Sequence, residues 1–534
     1  MTEKKWLLLL PCGGILTALC LVLPAVGFLQ WVTMTPALVW LFAAVARAQK
    51  PRYRAFYGAG VLYFLPFYLT IYHWFFYLYP MEFAGVTKSA ALALVVTCWL
   101  GLSLLQTTFS ALVFPLFSYL SGTRLLRRVP LLLPVLFAVQ YAVSEWGQTF
   151  TWMGVPWSRL VLGQIEMGVF KNSASLFGPY LLTFLLVLCN AYLAYLILYR
   201  EKWRLCAVSA AAVVAFAAVT GAVGYATARP DKGEALVVAA VQGNIGSSQK
   251  WSESSTQKTM EVYEKYTAEA AGAGADIVVF PETFLPYALA ENNLVGTFVR
   301  DLATEYDVTI LCGALYYGTD GSYNALFTVY PDGSIDEEIY FKRNLVPFGE
   351  YVPWRPFIEV VLPILSDINM LSKDFTPGAD SALIDTPYGR IGGLICFDSI
   401  YERLTLESVR DGAELLVIPT NDSWFTDSAA VYMHSAQARL RAIESGKWIV
   451  RAADTGISSV IDPRGNSHEE LAPLVEGVSI HTAYTSNTRT LYSYIGNSFV
   501  YLLIAAILAL PASELIYYLI RNRQEKSAES EETS

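Results

Sequence analysis

The sequence predicts an α/β domain carried on a bundle of eight membrane-crossing helices. Three observations lead there. The 534-residue chain is 54% hydrophobic and only 16% charged, with a mean hydropathy of +0.40, too apolar for an ordinary soluble protein. Long apolar runs fill the first 228 residues and recur near the end. Between them, residues 229–495 turn globular, with short Val/Ile/Leu-rich runs alternating with helical patterns, as in α/β domains.

The first seven spans are read at 6–27, 31–46, 55–79, 89–120, 129–146, 174–199 and 205–227, against the roughly 20 residues a helix needs to cross the hydrocarbon. The first is a retained span, because no small-residue cleavage site is evident and it flows into the second. Lys and Arg fix the orientation. With the N-terminus in the cytoplasm, the inner segments and the tail carry 15 of them, and the outer connections among the first seven spans carry three, Lys88, Arg159 and Lys171. An inside start followed by seven spans puts residues 229–495 outside the cytoplasm. The segment 496–521 returns as the eighth span, and the charged tail 522–534 reads as cytoplasmic and disordered.

Smaller features of the membrane part follow the same physics. Segment 147–172, with Trp152, Trp157 and Arg159 among apolar residues, suits an interfacial stretch under the domain. "FYLTIYHWFFYLYP", holding His73 and Trp74, reads as an aromatic belt, and Glu514 as a side chain snorkelling from the last span.

The globular stretch carries 19 Lys/Arg and 36 Asp/Glu, a net −17, which opposes nucleic-acid binding. Seven scattered Cys without a CxxC, and only four His, indicate neither a disulfide framework nor a metal site. Strands are predicted at 234–242, 275–282, 308–317, 389–398 and 413–422. A hairpin turns at Pro331–Gly333, and helices fall at 255–274, between the last two strands, and at 431–446. The order implies a mixed, largely buried sheet flanked by helices, a layered αββα arrangement.

Ionisable residues gather at the predicted strand ends, where α/β sheets place reactive groups. Glu282 follows "DIVVFP", Lys342 ends the hairpin strand, Cys396 follows "RIGGLI", and Asn421 and Asp422 follow "ELLVIPT". Singly, each has an ordinary structural reading: a core thiol, a turn acid, a solvated strand end, a helix cap. Together they suit acyl transfer through a thioester. A carboxylate takes the thiol proton, and an ammonium stabilises first the thiolate and then the oxyanion.

Glu282 in "FPET", Lys342 in "FKRNLVPFGEYVP" and Cys396 in "GLICFD" resemble the Glu–Lys–Cys triad of the nitrilase, or carbon–nitrogen hydrolase, superfamily. "VQGNI" with Trp251 downstream, "LVPFGEYVP", "NDSWFTDS", "QARLRAIESGK", "DTGISSVI" and "GVPWSRLVLGQ" resemble one membrane-embedded branch, the apolipoprotein N-acyltransferases, over nearly the whole chain. The resemblance implies a nitrilase-like αββα sandwich on eight helices in a bacterial inner or sole cell membrane. It implies Cys396 as nucleophile, Glu282 as general base, Lys342 as stabiliser of the intermediate and Glu350 as an additional active-site acid. It implies a phospholipid acyl donor, a diacylglyceryl-cysteine apolipoprotein acceptor, and no metal or dissociable cofactor. Asp398 and Asn421 would support the site. Trp251, Phe397 and Trp424 would line it. One departure stands out: the family commonly has Glu two residues after the Cys, and here Asp398 is shorter by about 1.5 Å, one C–C bond. Glu402 reads as a helix start. Two other functions compete: a membrane-anchored amidase using water as acceptor, and an inactive lipoprotein-binding scaffold.

Overall fold

A computed structural model describes residues 7–48, 52–81, 87–150, 153–246, 250, 253–290, 292–361 and 374–532. Twelve strands form two six-stranded sheets, ordered β12-β1-β2-β3-β4-β5 and β11-β10-β9-β8-β7-β6. The first holds β1 (Glu234–Gln242), β2 (Ile277–Phe280), β3 (Thr309–Tyr317), β4 (Ser322–Val329), β5 (Tyr340–Phe341) and β12 (Gly477–Thr485). The second holds β6 (Ile384–Thr386), β7 (Gly389–Gly393), β8 (Leu415–Thr420), β9 (Ile449–Ala453), β10 (Ser459–Ile461) and β11 (Ser467–His468). Each sheet has a parallel centre, β1-β2-β3 and β7-β8-β9, with antiparallel strands on both flanks. Strands buried on both faces read as near-continuous apolar runs; β2 and β8 are buried at every residue, and so is β9, which carries Arg451 among its apolar residues.

The two sheets face each other across Val238, Ala240, Val279, Leu311, Leu326, Ile395, Leu415, Val417 and Val450. Helices Glu253–Gly272 and Leu294–Tyr306 cover the outer face of the first sheet through Tyr263, Ala270, Val299 and Leu302. Helices Glu402–Asp411 and Ala429–Ser445 cover the second, and their core is continuous with that of the membrane helices. The αββα layering therefore rests with one helix layer on the apolar bundle.

Among the described residues, six helices are long and apolar enough to cross a membrane: Pro24–Arg47, Tyr53–Leu78, Lys88–Leu120, Pro179–Leu198, Arg200–Thr227 and Ser498–Glu525. The eight predicted spans thus reduce to six on that measure. Leu9–Val22 and Leu133–Gly147 have 14 and 15 residues, about 21–23 Å at 1.5 Å per residue against about 30 Å of hydrocarbon. Proline sets both limits: Pro24 opens a 3-10 segment after the first, and Pro130 and Pro134 delay the start of the second. The predicted sixth span is shortened likewise, because Gly178 (φ 77) and Pro179 start the helix anew. The tail read as disordered instead continues the last helix to Glu532. It is built of good helix formers, and Arg521 pairs with Glu525 one turn on at 2.7 Å.

Most of segment 154–173 lies buried between bundle and domain, with Glu166, Gly168 and Val169 exposed. Arg159, fully buried, meets Glu402 at 2.5 Å. Glu402 also accepts from the Tyr180 hydroxyl at 2.8 Å and lies 3.6 Å from Arg441. Gln437 donates to Pro156 O at 2.8 Å, and Lys171 to Gly465 O at 3.0 Å. Glu402 is therefore more than a helix start: it is the domain's buried anchor on the membrane part. Glu514, read as snorkelling, accepts from the backbone N–H of Arg124 at 2.6 Å.

Candidate active site

Glu282 follows β2, Lys342 follows β5 and Cys396 lies three residues beyond β7, so three strand ends from both sheets deliver the three side chains to one place. Lys342 Nζ lies 2.7 Å from Glu282 Oε1 and 3.0 Å from Glu350 Oε1. The Cys396 thiol lies close enough to both Glu282 and Lys342 for their charges to act on it. Both carboxylates and the ammonium are buried, and Cys396 is partly exposed.

Asn324 on β4 bridges the two acids, its Nδ2 donating to Glu282 Oε1 at 2.7 Å and to Glu350 Oε1 at 2.8 Å. The other oxygen of Glu350 accepts from Val346 N–H at 2.8 Å. Sequence reading did not find Asn324, which sits in an apolar strand with no motif around it. Asn421, read as supporting the site, reaches it through its main chain. The backbone N–H of Asn421 donates to Glu282 Oε2 at 3.0 Å, while its side chain accepts from Ser423 N–H at 3.1 Å.

The predicted strand through 398 ends early. β7 stops at Gly393, and Cys396 opens a 3-10 turn over Cys396–Ile400 with φ 49, a left-handed conformation that only surrounding contacts hold for a non-glycine residue. Asp398, fully buried, is one such contact. It accepts from Tyr340 OH at 2.9 Å, Asn344 N–H at 2.7 Å, Arg343 N–H at 3.2 Å and Ile395 N–H at 3.2 Å. It ties the Lys342 loop to the Cys396 turn and makes no hydrogen bond to the Glu282–Lys342–Cys396 cluster itself.

Electrostatics separate the three groups. Burial pushes the Cys396 thiol up, the Glu282 charge adds to this, and Lys342 only partly offsets it. Burial also raises Glu282, but Lys342 outweighs it and holds the carboxyl below the usual range. Burial alone would lower Lys342, yet Glu282 and Glu350 hold it well above its ordinary value. At neutral pH the resting cluster is a neutral thiol against a carboxylate–ammonium pair. That set can move a proton off sulfur and stabilise an oxyanion.

Of the residues read as lining the site, Trp251 lies outside the described residues. Phe397 is partly buried, 5.6 Å from the Tyr401 ring. Trp424 is partly buried in the loop after β8. Its neighbour Phe425 makes the membrane contact, 5.0 Å from Trp74 and 6.0 Å from Trp157. Trp74, read as part of an aromatic belt, is thus turned toward the domain. Among the described residues no group of three or more His, Cys, Asp or Glu is placed to hold a metal ion.

The carbon-nitrogen hydrolase family matches residues 237–493, and the apolipoprotein N-acyltransferase N-terminal domain matches residues 13–192. The apolipoprotein N-acyltransferase of Geobacter metallireducens is 32% identical over 85% of this chain and 84% of its own. That of Gloeobacter violaceus is 31% identical over 91% of this chain and 90% of its own. Among solved structures, Saccharomyces cerevisiae Nit3, of the nitrilase superfamily, is 21% identical, covering 49% of this chain and 93% of that one with a TM-score of 0.37. An amidase from Nesterenkonia sp. is 15% identical, covering 51% and 97% with a TM-score of 0.37.

Proposed function

This chain belongs to the apolipoprotein N-acyltransferase family, and from that premise we propose that it N-acylates lipoproteins in two steps on Cys396. It is an acyltransferase of the carbon–nitrogen hydrolase superfamily and a multi-pass membrane protein. In the first step Glu282 takes the thiol proton while Sγ attacks the ester carbonyl of a membrane phospholipid. The oxyanion forms beside Lys342 Nζ. Collapse breaks the ester C–O bond, Glu282 returns the proton to the leaving oxygen, and a lysophospholipid departs from a thioester. In the second step the α-amino group of a diacylglyceryl-cysteine attacks the thioester, giving a proton to Glu282. The C–S bond breaks and sulfur takes that proton back. Glu350 and Asn324 keep Lys342 and Glu282 in register throughout.

The observation that carries this reading is the buried Glu282–Lys342 pair with the Cys396 thiol within the influence of both charges, in a domain whose helix layer rests on the apolar bundle. Substrates with long acyl chains can reach such a site from the bilayer. Leu9–Val22 and Leu133–Gly147 complete an eight-helix bundle in residues 1–228 and 496–521. The Lys/Arg asymmetry puts the catalytic domain, 229–495, outside the cytoplasm of a bacterial inner membrane, with both termini inside.

The test is intact mass after incubation with phospholipid and no acceptor. The expected result is an acyl adduct that hydroxylamine removes, that Cys396→Ser lacks, and that a diacylglyceryl peptide discharges. Free fatty acid in place of any adduct would overturn the transfer reading in favour of a hydrolase.

A further inference from the structure

His434 has no part in the two steps above, yet it lies against the nucleophile's backbone. It is buried in helix Ala429–Ser445, with 1% of its surface exposed. Its Nδ1 is 2.8 Å from Asp422 Oδ1 and donates to that carboxylate, and as the imidazolium ion-paired with Asp422 the ring donates from Nε2 as well. Its Nε2 is 3.2 Å from Ser399 Oγ and 3.3 Å from the Cys396 carbonyl oxygen. The Ser399 hydroxyl donates to the same carbonyl at 2.7 Å. Behind Asp422, Arg451 Nη2 donates to Oδ2 at 2.6 Å, and Arg451 Nε is fixed on Ile457 O at 3.0 Å. A line of buried polar groups thus runs from Arg451 through Asp422, His434 and Ser399 to the carbonyl of Cys396, the residue that carries the site's thiol and is held at φ 49.

A buried histidine paired with an acid is often only a satisfied core residue. Two features here go further. A non-glycine residue in the left-handed region persists only where its surroundings over-determine it, and among the described residues Ser399 and His434 are the side chains hydrogen-bonded to that carbonyl. The line also has a second end in the site, because Asp422 follows Asn421, whose N–H holds Glu282. His434 therefore braces base and nucleophile against one frame. Its ring packs 5.6 Å from Trp157 of the buried segment under the domain, and Trp157 in turn meets Trp74 and Phe425.

We propose that His434 is a positioning residue for acyl transfer: clamped by Asp422, it fixes the Cys396 carbonyl together with Ser399 and so aims Sγ at the donor's carbonyl carbon. This rests on Cys396 being the nucleophile. The role concerns geometry, so its loss lowers the rate of acylation and leaves donor binding alone.

The experiment is single-turnover acylation of the full-length enzyme by phospholipid, read by intact mass, for wild type, Cys396→Ser, His434→Gln, His434→Ala and Ser399→Ala. Thermal midpoints are measured alongside. The expected result is an acylation rate lower by about 10- to 100-fold in His434→Ala and Ser399→Ala with KM for phospholipid unchanged, and partial rescue in His434→Gln, whose amide can reach Ser399. The double variant His434→Gln/Ser399→Ala is expected to be no slower than Ser399→Ala alone, because both act through one carbonyl. Wild-type acylation rates in both Ala variants would overturn the proposal, as would additive losses in the double variant or rates that track the thermal midpoint alone. If wild type itself forms no Cys396 adduct, the nucleophile reading fails, which the Cys396→Ser control separates from failure of this one.

Discussion

Cys396 is held neutral by its own setting. Burial and the charge of Glu282 both push the thiol up, and Lys342 does not make up the difference. A thiol of this kind reacts slowly with a simple alkylator, because only the thiolate attacks and an ordinary free Cys has pKa about 8.5. Iodoacetamide at pH 7, followed by peptide mapping, is expected to label Cys396 at least about tenfold more slowly than an exposed model thiol, and Lys342→Met is expected to slow it further. Labelling at the free-thiol rate would mean that the setting does not hold the thiol neutral beyond an ordinary cysteine, and labelling well above it that the thiol is ionised at rest with no proton for Glu282 to take. The identities of Glu282, Lys342 and Cys396 were legible in the sequence, since each follows an apolar strand and carries a distinct chemistry. Asn324, His434 and the backbone N–H of Asn421 were not. Asn324 lies inside a strand, where alternation says only that a residue faces one side, and a main-chain donor leaves no trace in residue type. Asp398 was legible as an acid near the site, but its four donors come from Tyr340, Arg343, Asn344 and Ile395, and only the fold brings those together.

The elements that carry these groups are pressed close. A Cβ on Gly313 of β3 would stand 2.6 Å from Glu282 Cα and 2.7 Å from Pro281 O. β3 can pass behind the base only because this position has no side chain. Gly313→Ala is expected to cost about 1–3 kcal/mol as an overpacking substitution and to slow acylation by about 10- to 100-fold through a displaced Glu282. Thermal unfolding and single-turnover acylation check the two separately, and an unchanged acylation rate would show that the base tolerates the shift. In the globular part β1, β2, β3 and β8 were legible to within a few residues, because they are apolar runs bounded by polar turns, while helix Leu294–Tyr306 was not read. Strands β6, β9, β10, β11 and β12 were not read. β9, β10 and β12 carry Arg451, Ser459 and Ser479 among their residues, buried polar side chains that break the apolar signature. In the bundle, hydropathy overran helix ends wherever a proline or Gly178 stops the helix while the sequence stays apolar.

At the scale of the whole molecule, two modules meet across a buried ionic contact. Burial raises the Glu402 carboxyl, but Arg159 and Arg441 outweigh it and hold it down at about 2. Its folded value lies below its unfolded one, so the stability it contributes is present above about pH 4.5 and is lost as pH falls toward 2, about 3 kcal/mol over that range. Glu402→Gln is expected to lower the thermal midpoint of the detergent-solubilised protein at pH 7, where it leaves Arg159 buried without its anion. The gap to wild type should close as pH is lowered from 4.5. A constant gap across that range would mean the contact contributes nothing through its charge. No sequence pattern announced this pairing, since Arg159 and Glu402 are 243 positions apart. The contact also joins mechanics to chemistry. Glu402 begins the helix that follows the Cys396 turn directly, so the sulfur stands one short 3-10 turn from the point where the domain is bolted to the spans. Any load the spans place on that bolt therefore arrives six residues from the sulfur, at the start of the helix that follows its turn.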